Sequence, residues 1–108
     1  MSSPPPQSEE FKAAVAASRH LVAKPTNDEL LNLYALYKQG TQDPPFDPAN
    51  APGMFDFKGK AKFAAWKEVA EENLSAEEAQ EKYIELVEQL KTKYGYDPNK
   101  DPEAVGGQ

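Results

Sequence analysis

Tyr34, Tyr37 and Lys38 stand at i, i+3 and i+4, so on a helix they share one face. Two phenols there can stack on a flat ring and donate hydrogen bonds, and a lysine is a point charge suited to phosphate. Further along, Pro52 to Trp66 reads PGMFDFKGKAKFAAW. It places Lys58, Lys60 and Lys62 at alternate positions, Lys67 follows, and no acid intervenes between Asp56 and Glu68. Lys58 and Lys62 are i, i+4 on a helix, where like charges repel by roughly a few tenths of a kcal/mol. An anionic partner relieves that cost. The same residues are also compatible with ordinary packing. Tyrosines edge many apolar stripes, lysines commonly form a solvated face, and Trp66 and Tyr83 read as core and core rim.

The chain carries 18 acids against 12 bases, for a net charge of −6. Nucleic-acid binding normally needs a broad basic face, so it is disfavoured. A positive island on an acidic chain suits one small anionic ligand better than a long polyanion. There is no cysteine, which excludes disulfides, thiol chemistry and zinc held by thiolates, and the single histidine cannot build a histidine-rich metal site. His20, beside Arg19 and Leu21, reads as structural. The acids look like surface charge, no nucleophile motif frames a serine, and no glycine-rich phosphate loop is present. An enzyme is therefore not expected, nor a cofactor. No apolar run approaches the ~20 residues of a spanning helix, and MSSPPPQSEE lacks the apolar core of a signal peptide. A soluble, cytoplasmic monomer is the default expectation.

At 108 residues one domain is expected, and 39% apolar residues suffice for one small core. Residues Met1 to Gln7 are Ser- and Pro-rich and expected to be disordered. Ser8 offers an N-cap, and Phe11, Ala14, Val15, Leu21 and Val22 give a helical stripe that should end before Pro25. Thr26-Asn27-Asp28-Glu29 is a capping box, followed by Leu30, Leu33, Tyr34 and Tyr37, with Leu31 and Leu36 flanking and Gly40 as the expected stop. A proline-rich loop runs from Thr41 to Gly53. A third helix is expected from about Phe57 to Glu71, capped by Asp56, with Phe63, Trp66, Val69 and Ala70 inward. Ser75-Ala76-Glu77-Glu78 is a second capping box and opens the longest helix, with Ala79, Tyr83, Leu86, Val87, Leu90 and Tyr94 in register and Gly95 as its stop. Residues 96–108 read as a polar, mostly disordered tail. The fold class is all-α, with four helices and a long crossing loop.

These residues carry a resemblance. Pro52-Gly53-Met54, Asp56-Phe57-Lys58-Gly59-Lys60-Ala61-Lys62 and Ala65-Trp66 come after Leu33-Tyr34 and Tyr37-Lys38-Gln39, with Lys24-Pro25 earlier. Tyr83-Ile84 and Lys93-Tyr94-Gly95 close the pattern. In that order and spacing the stretch 8–95 resembles the acyl-CoA-binding protein family.

The resemblance implies a four-helix up-down-down-up bundle that binds medium- and long-chain acyl-CoA esters without covalent change, buffering and transporting them for acyl-CoA-using enzymes. It implies that Tyr34 and Tyr37 frame the adenine and nucleotide phosphate, and that Lys38 and Lys62 neutralise the 3′-phosphate. Lys58 would lie near the phosphates and Tyr83 against the nucleotide. The acyl chain would lie in a shallow apolar groove near Ala14, Leu30 and Leu31. Arg19 stands where the family commonly has lysine, which keeps charge and changes geometry. The loop 41–51 and the stretch 71–74 are longer than in common members, Phe63 replaces a frequent tryptophan and Gly40 a common alanine. The rival expectation is a helical interaction or signalling module that docks a protein or peptide through the same groove.

Overall fold

Ser8, Thr26, Asp56 and Ser75 each accept, through a side-chain oxygen, the backbone amide three residues on, at 3.1, 3.2, 2.9 and 3.1 Å. Each bond satisfies one of the amides that a helix leaves unpaired at its start. Four helices follow from these caps in the computed structural model, which describes residues 4–100. They are α1 (Glu9–Ser18), α2 (Asn27–Thr41), α3 (Phe57–Glu71) and α4 (Ala76–Tyr94). Both capping boxes form, with Glu29 and Glu78 returning to the Thr26 and Ser75 amides.

Side-chain contacts set the directions. Ser8 meets Gln80 near the start of α4, and Leu21 pairs with Tyr96 past its end, so α1 and α4 run parallel. Glu29 meets Lys93 and Gly40 meets Gln80, so α2 runs against α4. Tyr34 meets Lys62 and Gln39 meets Trp66, so α3 runs parallel to α2. The order is up, down, down, up. A parallel neighbour needs a connection that returns the length of a helix, which is what residues 42–56 provide, with one short 3-10 turn at Pro48–Asn50.

The core lies between α1, α2 and α4, where Phe11, Leu33, Tyr83, Val87 and Leu90 are buried. Phe11 meets Tyr83 edge-on at 5.1 Å. By contrast α3 has no fully buried residue and packs on α2 with Phe63, Trp66, Val69 and Ala70 half-covered.

Three expectations need correction. The first helix stops at Ser18 and does not continue to Pro25. Beyond it the backbone finds other partners: Val22 donates to the Gly95 carbonyl at 2.9 Å, Ala23 to Tyr94 at 3.2 Å, and Asp97 donates to His20 at 3.0 Å. Leu21 remains in the core while Val22 is left exposed. Gly40 does not stop α2. It lies within the helix, packed so closely on α4 that a Cβ there would sit 3.0 Å from Cγ of Gln80, and the terminating left-handed residue is Gln42 (φ 43°). Residues 96–100 are not loose tail. The Lys100 carbonyl can only accept, so His20 Nδ1 carries the proton it donates at 2.7 Å, and Lys91 lies over the Tyr96 ring. The expected disorder of residues 1–3 and 101–108 lies outside the described residues.

Candidate functional site

The seam between α2 and α3 gathers the chemistry. Tyr34 and Lys38 stand one turn apart on α2, and Lys62 faces them from α3. The Lys62 ammonium is 5.2 Å from the Tyr34 ring centre and that of Lys38 is 5.9 Å from it. Lys38 also lies 5.7 Å from the Trp66 ring. Each is within cation–π range. Among the described residues no carboxylate lies within 4.0 Å of Lys38, Lys58 or Lys62, the ion pairs being elsewhere. The two lysines thus have aromatic faces beneath them and no counter-charge, which leaves their donors for an anion. Burial pushes the Tyr34 hydroxyl above the ordinary phenol value, so at neutral pH it is a neutral donor.

Beside them a cleft of about 210 Å³ opens towards the long loop. Tyr34, Lys62, Phe63 and Trp66 form its helical wall, and Pro44, Pro45, Asp47, Asn50 and Pro52 its loop wall. Phe46 fastens the loop, with its ring 5.2 Å from those of both Phe63 and Trp66. Trp66 is itself fixed by its indole N–H, which donates to Gln39 at 3.3 Å. At the head of α3, Asp56 receives the Gly59 amide so closely that a Cβ on residue 59 would fall 2.3 Å from Oδ2. Only glycine leaves that cap undisturbed, and the cap sets where Lys58 and Lys62 stand.

The remaining expected site residues are distributed around this cluster. Tyr37, half-buried, turns towards the core and stacks on Phe11 with ring centres 6.0 Å apart. Tyr83 lies behind it, wholly buried, and donates its hydroxyl to Ser18 at 3.2 Å. It has no open surface here, so a nucleotide reaches it only if Tyr37 or Phe11 moves. Lys58 is exposed one turn before Lys62. Arg19 is exposed at the end of α1. Ala14 is buried in the core and Leu30 and Leu31 are half-covered; none of the three walls the cleft.

A family model described as "Acyl CoA binding protein" matches residues 8–87. The chain belongs to the acyl-CoA-binding protein family. The acyl-CoA-binding protein homolog 1 of Caenorhabditis elegans is 49% identical over 85 residues, covering 79% of this chain and 94% of the relative. The acyl-CoA-binding protein of Saccharomyces cerevisiae is 42% identical over 84 residues, covering 78% and 92%. The crystal structure of Oryza sativa acyl-CoA-binding protein 2 shares 39% identity with a TM-score of 0.69, covering 79% of this chain and 90% of that one. The all-α bundle is the fold of this acyl-CoA-binding protein family.

In this member of the family, reasoning on the sequence missed Trp66 and the loop residues as parts of the site. Trp66 looked like core because it falls on the inward side of α3. Its signal was the spacing to Lys62, which places the two one turn apart facing α2. Phe46 gave no signal, since a single aromatic among prolines has no period to read.

Proposed function

We propose that this chain binds medium- and long-chain acyl-CoA esters non-covalently, holding and transporting them without turning them over. The observation that carries the reading is the pair Lys38 and Lys62, set on Tyr34 and Trp66 without a carboxylate partner among the described residues. A nucleotide with a 3′-phosphate presents what such a pair lacks, namely dense negative charge next to a flat ring. In this reading Tyr34 and Tyr37 frame the adenine, Lys38 and Lys62 take the 3′-phosphate, and Lys58 lies near the phosphates. Ala14, Leu30 and Leu31 line the route of the alkyl chain, where each buried CH₂ contributes roughly 0.8 kcal/mol. Arg19 adds charge beside that route, and Tyr83 closes the floor beneath the nucleotide once its cover shifts.

The natural users of such a carrier are acyl-CoA-consuming enzymes in the cytoplasm, with the carrier acting as a monomer. Calorimetric titration with a long-chain acyl-CoA tests this, with free CoA and the free fatty acid as controls. Tight one-to-one binding of the ester, and much weaker binding of either half, is the expected result. Absence of ester binding would leave the family fold without the family ligand and would return attention to a protein or peptide in the same groove.

A further inference from the structure

Phe46 is the one aromatic residue between Thr41 and Gly53, and it is half-buried while Pro44, Pro45, Asp47 and Pro48 around it are exposed. Among the described residues, the hydrogen bonds made by residues 43–55 reach no farther than Asp56: Ala49 and Asn50 donate to Asp47, and Asp56 donates to Gly53. The four prolines of the loop have no amide to donate. This wall of the cleft is thus attached to α3 through the Phe46 ring, which is tilted on Phe63 and stands edge-on to Trp66 at 75°. From Trp66 the contacts continue into the cation site. Its indole N–H is tied to Gln39, and the Lys38 ammonium lies over the same indole.

We propose that Phe46 is a positioning residue for recognition of the 3′-phosphate: it seats Trp66, and Trp66 with Tyr34 sets where the Lys38 ammonium rests. The proposal rests on the reading that Lys38 and Lys62 take that phosphate. A lysine ammonium is a point charge on a flexible stem. Two ring faces beneath it narrow the positions it occupies, so less side-chain freedom is lost when the anion arrives. The loop that Phe46 fastens also walls the cleft beside Lys62 and keeps water from that side. Attraction between a lysine and a phosphate strengthens as water is excluded. Both effects act on the charged end of the ligand. Ala14, Leu30 and Leu31 lie outside this cleft, so the alkyl chain does not depend on the loop.

The full chain is titrated with a long-chain acyl-CoA and with its 3′-dephospho analogue, and fluorescence is read without ligand. Trp66 is the only tryptophan, so the emission reports its packing directly. The wild type is expected to bind the 3′-phosphorylated ester at least about tenfold more tightly than the analogue, as hydrogen bonds to a charged group would give. Phe46→Leu keeps an apolar side chain in the loop and removes the ring. It is expected to lower that preference about fivefold, the cost of one long side chain left unordered, and to shift the emission to the red. Phe46→Tyr keeps the ring and should restore both. Lys38→Ala separates two failures. No preference in the wild type, or an undiminished one in Lys38→Ala, would overturn the phosphate reading and this proposal with it. A preference that falls in Lys38→Ala and persists in Phe46→Leu would overturn the proposal alone. Equal loss of both esters in Phe46→Leu, or unshifted emission, would do the same and leave Phe46 as packing.

Discussion

Tyr34 serves as the anvil for two cations, and the consequence is testable at single side chains. Lys38→Ala and Lys62→Ala each remove a charge that has no carboxylate partner among the described residues. Each is expected to weaken acyl-CoA binding by about 1.5–3 kcal/mol, the range for a hydrogen bond to a charged group, while thermal stability hardly moves. Equal losses of binding and stability would place these lysines in the scaffold instead. A second residue reports on the fold alone. Glu29 closes the capping box of α2 and also receives Lys93 and Tyr94 from the end of α4. Its carboxyl is held at about 2 against an ordinary 4.5, first by Lys93, then by Tyr94 and the Thr26 amide. A carboxyl depressed in the folded state stabilises it above the unfolded value and loses that contribution as pH falls through the folded one. Glu29→Gln should therefore melt lower than wild type at pH 7, with the gap closing between about pH 4.5 and pH 2. A gap that did not change with pH would contradict the assignment.

The elements were legible in the sequence wherever a cap or a period announced them. Thr26, Asp56 and Ser75 marked three helix starts, and the resulting α3 spans the expected residues. What escaped depended on contacts between distant segments. The stripe continuing through Leu21 and Val22 is a valid helical pattern, yet the backbone there pairs with residues 94–97. Gly40 looked like a stop because glycine often is one, and only the approach of Gln80 shows that a small residue is used there for close packing. Gln80 itself gave no sign of its role. Its amide nitrogen donates to the carbonyls of Pro6 and Gly40, and its oxygen accepts from Ser8, so it ties the head of the chain to α2 and α4. Gln80→Leu keeps the volume and strands these backbone groups. It is expected to cost about 2 kcal/mol, or roughly 10 °C in Tm, measured by thermal unfolding. Gly59→Ala should act more locally. It displaces the Asp56 cap, costs about 1 kcal/mol, and weakens ligand binding by shifting the start of α3. The site residues divided in the same way: the lysines and Tyr34 were visible from spacing, whereas Trp66 and Phe46 became visible only when the loop folded over α3.

Across the whole molecule, a net charge of −6 coexists with a stretch of four lysines and no acid from Phe57 to Lys67. An anionic ligand is thus drawn to one side and repelled from the rest, and its affinity should fall as salt rises. Binding should also stabilise the fold. At a ligand concentration of 100 times Kd the added stability is about 2.7 kcal/mol, read as an upward shift in Tm that free fatty acid does not reproduce. A protein that docked only peptides through this groove would show no such shift.

The absence of any fully buried residue in α3 has a kinetic meaning. Opening that helix exposes little apolar surface, whereas opening α1, α2 or α4 uncovers Phe11, Leu33 or Tyr83. The amides of α3 and of the loop before it should therefore exchange with deuterium sooner than those of the other three helices. A ligand spanning Lys38 on the slow side and Lys62 on the fast side would fasten the two together, and the largest slowing of exchange would appear in α3. Entry and departure of the ligand then become matters of how often one outer helix lets go, while the rest of the bundle stays closed.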